Sequence, residues 1–320
     1  MKQFIYFVII SVCFTFNLAA GVAYGLEQRV IQANGLQFWT ETFGDNQRPA
    51  ILLVMGNAGQ SILWPQQFCE QLANKGYFVI RYDHRDVGLS SPVDYAKNPY
   101  NLLDMAKDAI SICDYYGIKK VNVVGASMGG EIAMIMGAHF PDRINSLTLM
   151  MTSTDMSVGL AALQDQPSNS TLSKPNPEYI AWLKNMMANP KSTVEGQVSQ
   201  YIEGVRLANG SKIPLDEELI HQLVMQMFAR MRYPTNQKNH FLAIQASYAL
   251  HSEAPSKIKV PTLILHGDQD PIFPVDHAYA IQKAIPHSKL AIVPGMGHTV
   301  HTPFFNIIIE SIDNVAKMST

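Results

Sequence analysis

The sequence predicts an α/β fold with a mostly parallel central sheet covered by helices on both faces. Three observations carry that expectation. Short, continuous apolar runs alternate with longer amphipathic stretches, the pattern of parallel strands buried on both faces. One of those runs, Val121-Asn122-Val123-Val124, ends in Gly125-Ala126-Ser127-Met128-Gly129-Gly130 and passes directly into a helical pattern. Two later runs end in polar loops, Gly267-Asp268-Gln269-Asp270-Pro271 and Pro294-Gly295-Met296-Gly297-His298. In such a sheet these loops fall at the carboxyl edge of the strands, where ligands bind.

The 320 residues are 47% hydrophobic and 16% charged, which is ordinary globular composition with ample material for a core. A net charge of −2 gives no electrostatic footprint for nucleic acid. Of the three cysteines, Cys13 lies in the N-terminal apolar run. Cys69 and Cys113 are free to pair in an oxidising compartment but make no disulfide framework.

Taken in order, the chain begins with Lys2, an apolar run from Phe4 to Phe16, and small residues up to Gly25. This is the layout of a secretory signal over residues 1–25. The run spans only ~20 Å as a helix, short of a ~30 Å hydrocarbon core. Export to the periplasm or the medium is the expectation. The alternative is an uncleaved membrane anchor extended through Leu26, in which case this segment is the only membrane contact. Val12 before Cys13 argues against lipoprotein processing.

Residues 26–155 form the first part of the core. Arg29 to Phe43 alternates around Asn34-Gly35, a hairpin with a tight turn. Ala50 to Met55 is a buried strand ending in Gly56-Asn57-Ala58-Gly59-Gln60. A helix follows from about Trp64 to Lys75, then a buried strand over Tyr77 to Tyr82 and the polar loop Asp83-His84-Arg85-Asp86-Val87-Gly88-Leu89-Ser90-Ser91. Tyr100 to Tyr116 reads as an amphipathic helix stopped by Gly117. The Val121 strand, the serine turn and its helix come next, and Ile144 to Met151 is another strand. Residues 156–255 break the pattern. A polar stretch from Ser153 to Pro175 leads into several helices between Tyr179 and Leu250, rich in methionine at Met186, Met187, Met225, Met227 and Met231. They read as a helical cap insertion over the active-site edge, the methionines filling either its own core or an adaptable apolar pocket. Asn169-Ser170-Thr171 and Asn209-Gly210-Ser211 match the glycosylation pattern. Residues 256–320 resume the sheet with strands at Val260 to His266 and Lys289 to Val293. Helices over about Val275 to Ala284 and Phe305 to Ala316 follow them.

The chemistry centres on Ser127. A serine at the apex of a strand–turn–helix sits in a strained backbone conformation, and its neighbours two before and two after crowd each other. Gly125 and Gly129 fit there. Serine is a weak nucleophile and needs a base, which in turn needs a third group to fix its tautomer. His298 and Asp270 fill those roles in the order Ser, Asp, His. Their rivals are His301, outside the glycine-flanked turn, and Asp268, which suits local loop bonding. Asp83 and Asp86 are further rivals for the acid. Asp83 and Arg85 read as a structural pair beside the site, and His84 and His266 as structural. The oxyanion needs two backbone N–H groups. Met128, directly after the nucleophile, supplies one, and Asn57 supplies the other, with Ala58 as alternative. No His/Cys/Glu spacing suggests a metal, and no phosphate loop or cofactor motif is present.

These blocks resemble the α/β-hydrolase superfamily. Met55-Gly56-Asn57-Ala58-Gly59-Gln60 with Trp64-Pro65, and Arg81 through Ser91, are similar to the branch containing aclacinomycin methylesterase and related bacterial esterases. The resemblance covers about residues 28–155 and 256–318 and is weak between them. It implies the α/β-hydrolase fold with a helical cap, and a serine hydrolase cleaving small-molecule carboxylic esters through an acyl-enzyme, without a cofactor. Many members carry His-Gly where this chain has Met55-Gly56, and the proline-peptidase stretch His-Gly-Gly-Pro-Gly is absent. Ser127, where dehalogenases and epoxide hydrolases place aspartate, argues against both. Two other readings stand beside the esterase. One is lactone, thioester or amide hydrolysis, or acyl transfer, on the same triad. The other is a binding protein on a hydrolase scaffold.

Overall fold

Three strands without a single exposed residue form the middle of the molecule: β3 (Ala50–Val54), β4 (Phe78–Tyr82) and β5 (Val121–Ala126). The computed structural model describes residues 26–210 and 213–319. Around these strands stand β1 (Glu27–Ala33), β2 (Leu36–Phe43), β6 (Ile144–Met150), β7 (Thr262–Gly267) and β8 (Lys289–Val293). The order across the sheet is β1-β2-β4-β3-β5-β6-β7-β8. Pairing is antiparallel from β1 to β2 and from β2 to β4, and parallel everywhere else. The β1–β2 hairpin turns through Asn34 and Gly35, both at positive φ, as an Asn-Gly hairpin requires.

Strand side chains alternate between two cores, which explains why the runs read as continuously apolar. Leu52, Val54, Ile80, Val123, Leu147 and Ile264 face one side. There they meet α2 (Leu102–Tyr115), α3 (Met128–His139) and α10 (Asp276–Ala284). Ile51, Leu53, Val79, Val124, Met150 and Leu265 face the other, against α1 (Gln66–Asn74) and α11 (Phe305–Ala316). α2 starts where the sequence marks it. Asn101 accepts from Leu103 and Asp104 N–H while Asp104 reaches back to Asn101 N–H. Gly117 ends it at φ +70.

This layering keeps the two described cysteines apart. Cys69 on α1 and Cys113 on α2 lie in opposite cores, so the pairing left open by the sequence does not form. Burial pushes both thiols up to about 12, which leaves them unreactive.

Among the described residues six helices lie between β6 and β7: α4 (Ser157–Leu163), α5 (Pro177–Ala188), α6 (Val194–Asn209), α7 (Glu217–Arg230), α8 (Lys238–Gln245) and α9 (Tyr248–Lys257). They are not all of one kind. Ala243 and Ile244 of α8 and Ala254 of α9 join the core around α3, whereas Val198, Ile202 and Val224 of α6 and α7 form a small core of their own. The methionines do not fill that core. Met187 and Met225 are exposed and Met227 is buried. Asn209 is buried, so its glycosylation pattern sits on an inaccessible side chain. The expected N-terminal signal over residues 1–25 lies outside the described residues. Among the described residues no helix is long and apolar enough to cross a membrane.

Candidate active site

Ser127 stands between β5 and α3 at φ +56 and ψ −125, a backbone conformation rarely adopted by residues with a side chain. Its neighbours explain how it is held. A Cβ on Gly125 would stand 2.1 Å from Gly129 O, and one on Gly129 would stand 2.1 Å from Val54 O. The elbow is thus wedged against the end of β3. Ser127 N–H donates to Met150 O over 3.0 Å. Ser127 O accepts from Gly130 N–H over 2.8 Å and from Thr152 Oγ1 over 2.8 Å. A Cβ on Gly130 would meet the Thr152 side chain at 2.7 Å, so that glycine makes room for the loop after β6. Gly125→Ala is expected to cost about 3 kcal/mol or more, because the Gly129 and Gly130 atoms its Cβ would meet are backbone and cannot rotate away. A urea midpoint equal to wild type would show that the elbow has slack.

Asp270 and His298 come together from the loops after β7 and β8. Asp270 Oδ2 lies 2.8 Å from His298 Nδ1, and Asp270 Oδ1 accepts from Ile272 and Phe273 N–H over 2.8 and 2.9 Å. Burial pushes the Asp270 pKa up, but the charge and hydrogen bond of His298 outweigh it and hold the group below the usual carboxylate range. An ionised carboxylate only accepts, so Nδ1 of His298 carries a proton, and in the neutral ring Nε2 is left with a lone pair. Ser127 Oγ and His298 Nε2 are not hydrogen-bonded among the described residues. Catalytic bonds of this kind commonly tighten only with substrate bound.

The rivals have other partners. Asp268 Oδ1 accepts from Gly295 N–H over 2.6 Å, tying the β7 loop to the β8 loop. His301 is buried against the Phe304 ring. His266 Nε2 donates to Phe273 O over 2.7 Å, bracing the Asp270 loop. Asp83 accepts from Ser61 N–H and Oγ–H, Leu89 N–H and Arg230. Asp86 accepts from Val93 N–H, the Tyr100 hydroxyl, Asn236 and Asn239.

The expected Asp83–Arg85 pair is not formed. The turn after β4 sends the two side chains apart. Asp83 turns to Arg230 of α7 at 2.8 Å, and Arg85 makes a two-pronged contact with Asp108 of α2 at 2.6 and 2.7 Å. Both still fix the loop, but to different helices.

Of the backbone donors near Ser127, Ala58 N–H is taken by His240 Nδ1 at 3.0 Å. Asn57 and Met128 N–H have no partner among the described residues. Gly56 lies directly beside Ser127, where a Cβ would sit 3.0 Å from Ser127 Cβ. Sequence reading missed two contributors, Thr152 and His240. Neither sits in a recognisable motif, and only the fold brings them to the elbow and the Gly56 loop. Among the described residues no group of His, Cys, Asp and Glu is arranged to hold a metal ion.

A parallel sheet with a serine elbow, and an Asp–His pair on its last two loops, define a hydrolase of the α/β class. Residues 49–303 match the model of the alpha/beta hydrolase fold family, and the chain belongs to that family as an enzyme. It is 30% identical over 283 residues to the rhodomycin D methylesterase DauP of Streptomyces sp. (strain C5), covering 86% of this chain and 94% of the relative. Identity and coverage are the same for the rhodomycin D methylesterase DnrP of Streptomyces peucetius. The resemblance to bacterial esterases of the methylesterase branch is therefore borne out across most of the chain. In fold, the chain is similar to the 2-hydroxy-6-oxo-6-phenylhexa-2,4-dienoate hydrolase of Rhodococcus sp. strain RHA1. The TM-score is 0.72 at 19% identity, over 92% of this chain and 99% of that one.

Proposed function

We propose that the protein is a serine esterase that cleaves small carboxylic esters, methyl esters foremost, through a Ser127–His298–Asp270 triad and an acyl-enzyme. The observation that carries this reading is the His298–Asp270 hydrogen bond, made at the same sheet edge as a serine held at φ +56. Ser127 Oγ attacks the ester carbonyl carbon while His298 Nε2 takes its proton. The Asn57 and Met128 N–H groups donate to the negative oxygen that forms, and the N-terminus of α3 adds its dipole. The intermediate collapses, the C–O bond to the alcohol breaks, and His298 gives its proton to the leaving oxygen. Water then gives a proton to His298 and attacks the acyl carbon, and as this intermediate collapses His298 returns the proton to Ser127 Oγ, freeing the acid and the serine. Asp270 stays ionised and keeps His298 in the reactive tautomer.

Methyl esters are favoured because the two rhodomycin D methylesterases match this chain nearly end to end. Incubation with a fluorophosphonate probe is expected to give a single adduct on Ser127, alongside methanol release from methyl esters of bulky carboxylic acids. A chain that hydrolyses esters but carries no Ser127 adduct would overturn the triad. Lactones and thioesters in the same screen separate the other reactions available to these residues.

We also propose that residues 1–25 direct export, on the strength of Lys2, the apolar run to Phe16 and the small residues before Gly25. The N-terminus of protein recovered from the periplasm or the medium tests it, and an intact Met1 in a membrane fraction would favour the anchored form.

A further inference from the structure

The turn beside the nucleophile is braced from two distant parts of the chain. Gly59 N–H donates to Gly56 O over 3.1 Å, closing a four-residue turn. Ala58, its third residue, has φ +55. That position ordinarily takes Gly or Asn, and an alanine stays there only where its surroundings fix it. His240 on α8 supplies the fixing contact. Its Nδ1 accepts from Ala58 N–H over 3.0 Å, and its Nε2 lies 2.8 Å from Arg85 O. A carbonyl only accepts, so the Nε2 atom carries the proton and Nδ1 is left as an acceptor. On the other side, His84 Nε2 donates to Met55 O over 2.9 Å, and the two imidazoles meet edge to face at 5.8 Å. Both rings are buried, and burial lowers both pKa values, His84 to about 3. The brace is therefore neutral and its tautomers are fixed by the carbonyls it faces.

We propose that His240 is a positioning residue of the hydrolytic site: by holding Ala58 N–H, it fixes the turn in the one conformation that leaves Asn57 N–H as the oxyanion donor. The inference deepens the reading of Ser127 as nucleophile and rests on it. It also makes the donor depend on a helix between β6 and β7, about 180 residues away in the chain. Those helices then set catalytic rate as well as substrate choice, because the peptide they hold lies beside Ser127.

The test uses two variants of the full chain. In His240→Gln the side chain keeps a donor for Arg85 O but offers Ala58 N–H no acceptor. In His240→Asn the Oδ1 atom takes the place of Nδ1. Hydrolysis of p-nitrophenyl acetate is measured per mole of fluorophosphonate-reactive Ser127, so misfolded protein is not counted. His240→Gln is expected to lower kcat at least about tenfold with KM changed less than about threefold, since a misplaced oxyanion donor weakens the transition state and not the ground state. His240→Asn is expected to recover most of that loss, even where both variants melt earlier than wild type. Equal kcat in wild type and His240→Gln overturns the positioning role and leaves the Ser127 reading standing. A wild-type chain without a Ser127 adduct overturns both. Independently, ring ¹⁵N shifts of histidine-labelled protein are expected to show an unprotonated, hydrogen-bonded Nδ1 on His240, and a protonated Nδ1 overturns the proposal whatever the rates.

Discussion

Ser127→Ala is expected to lower kcat by at least ~10³-fold while leaving the fold in place, because removing the nucleophile leaves only oxyanion stabilisation and binding. The structure makes this a clean experiment. The contacts that hold residue 127 are made by its N–H and its carbonyl, to Met150, Gly130 and Thr152, and alanine keeps all of them. The side-chain oxygen makes no hydrogen bond among the described residues, so its loss strands no partner. Alanine also meets the same strain at φ +56 as serine does. Stability is therefore expected to move by less than about 1 kcal/mol. Steady-state rates on a methyl ester, with urea denaturation in parallel, check both halves. Turnover near wild type would end the assignment of Ser127.

The second large effect is acid lability above the usual carboxylate range. His84, His240, His251, His266 and His301 are all buried, and burial lowers each pKa, His84 to about 3 and His251 to about 4. The unfolded chain takes up these protons near pH 6.5, while the folded chain refuses them until much lower pH. Stability from these groups is whole above pH 6.5 and is lost as pH falls toward the folded values. His251, lowered to about 4, loses its share as pH falls from 6.5 to 4. Its neighbour on α3 works the other way. Glu131 is buried with Oε2 3.2 Å from His251 Nε2, and burial raises its pKa well above 4.5, so its contribution is lost as pH rises from 4.5 through the folded value. The histidines outnumber it. The urea midpoint is expected to drop steeply from pH 6.5 to 4, and His251→Gln is expected to flatten that slope. A midpoint constant over this range would show that the histidines titrate normally.

The contrast between what was and was not legible in the sequence follows from how far each signal reaches. Buried strands show as apolar runs because both faces of β3, β4 and β5 are covered, so their residues need no distant information. Gly125 and Gly129 are legible for the same reason: the crowding they relieve lies within one strand, one turn and the end of β3. Asp270 and His298 follow from strand order. Arg85 does not, because its carboxylate partner is Asp108 on α2 and the nearer Asp83 is already taken by Ser61, Leu89 and Arg230. The helices after β6 were read only in outline. α4 lies within the polar stretch from Ser153 to Pro175, and α5 buries none of its residues, so neither carries a clean apolar stripe. His240 carries no local mark at all; its role comes from a turn that lies elsewhere in the chain.

The C-terminal end of α6 sits directly on the His298 loop. His298 N–H donates to Ala208 O over 2.7 Å, and a Cβ on Gly297 would stand 2.3 Å from the Asn209 backbone. Gly210, at φ +81, lies over Gln269 in the Asp270 loop. Further along, α7 is fastened by Arg230 to Asp83 and α8 by Asn239 to Asp86. For anyone redesigning the enzyme, this means the helical segment is not an exchangeable module. A replacement taken from another hydrolase would bring a new binding surface but no carbonyl for His298 and no acceptor for Ala58. Transplanting specificity here requires moving the Gly295–His298 loop and the Gly56–Gly59 turn together with the helices that hold them.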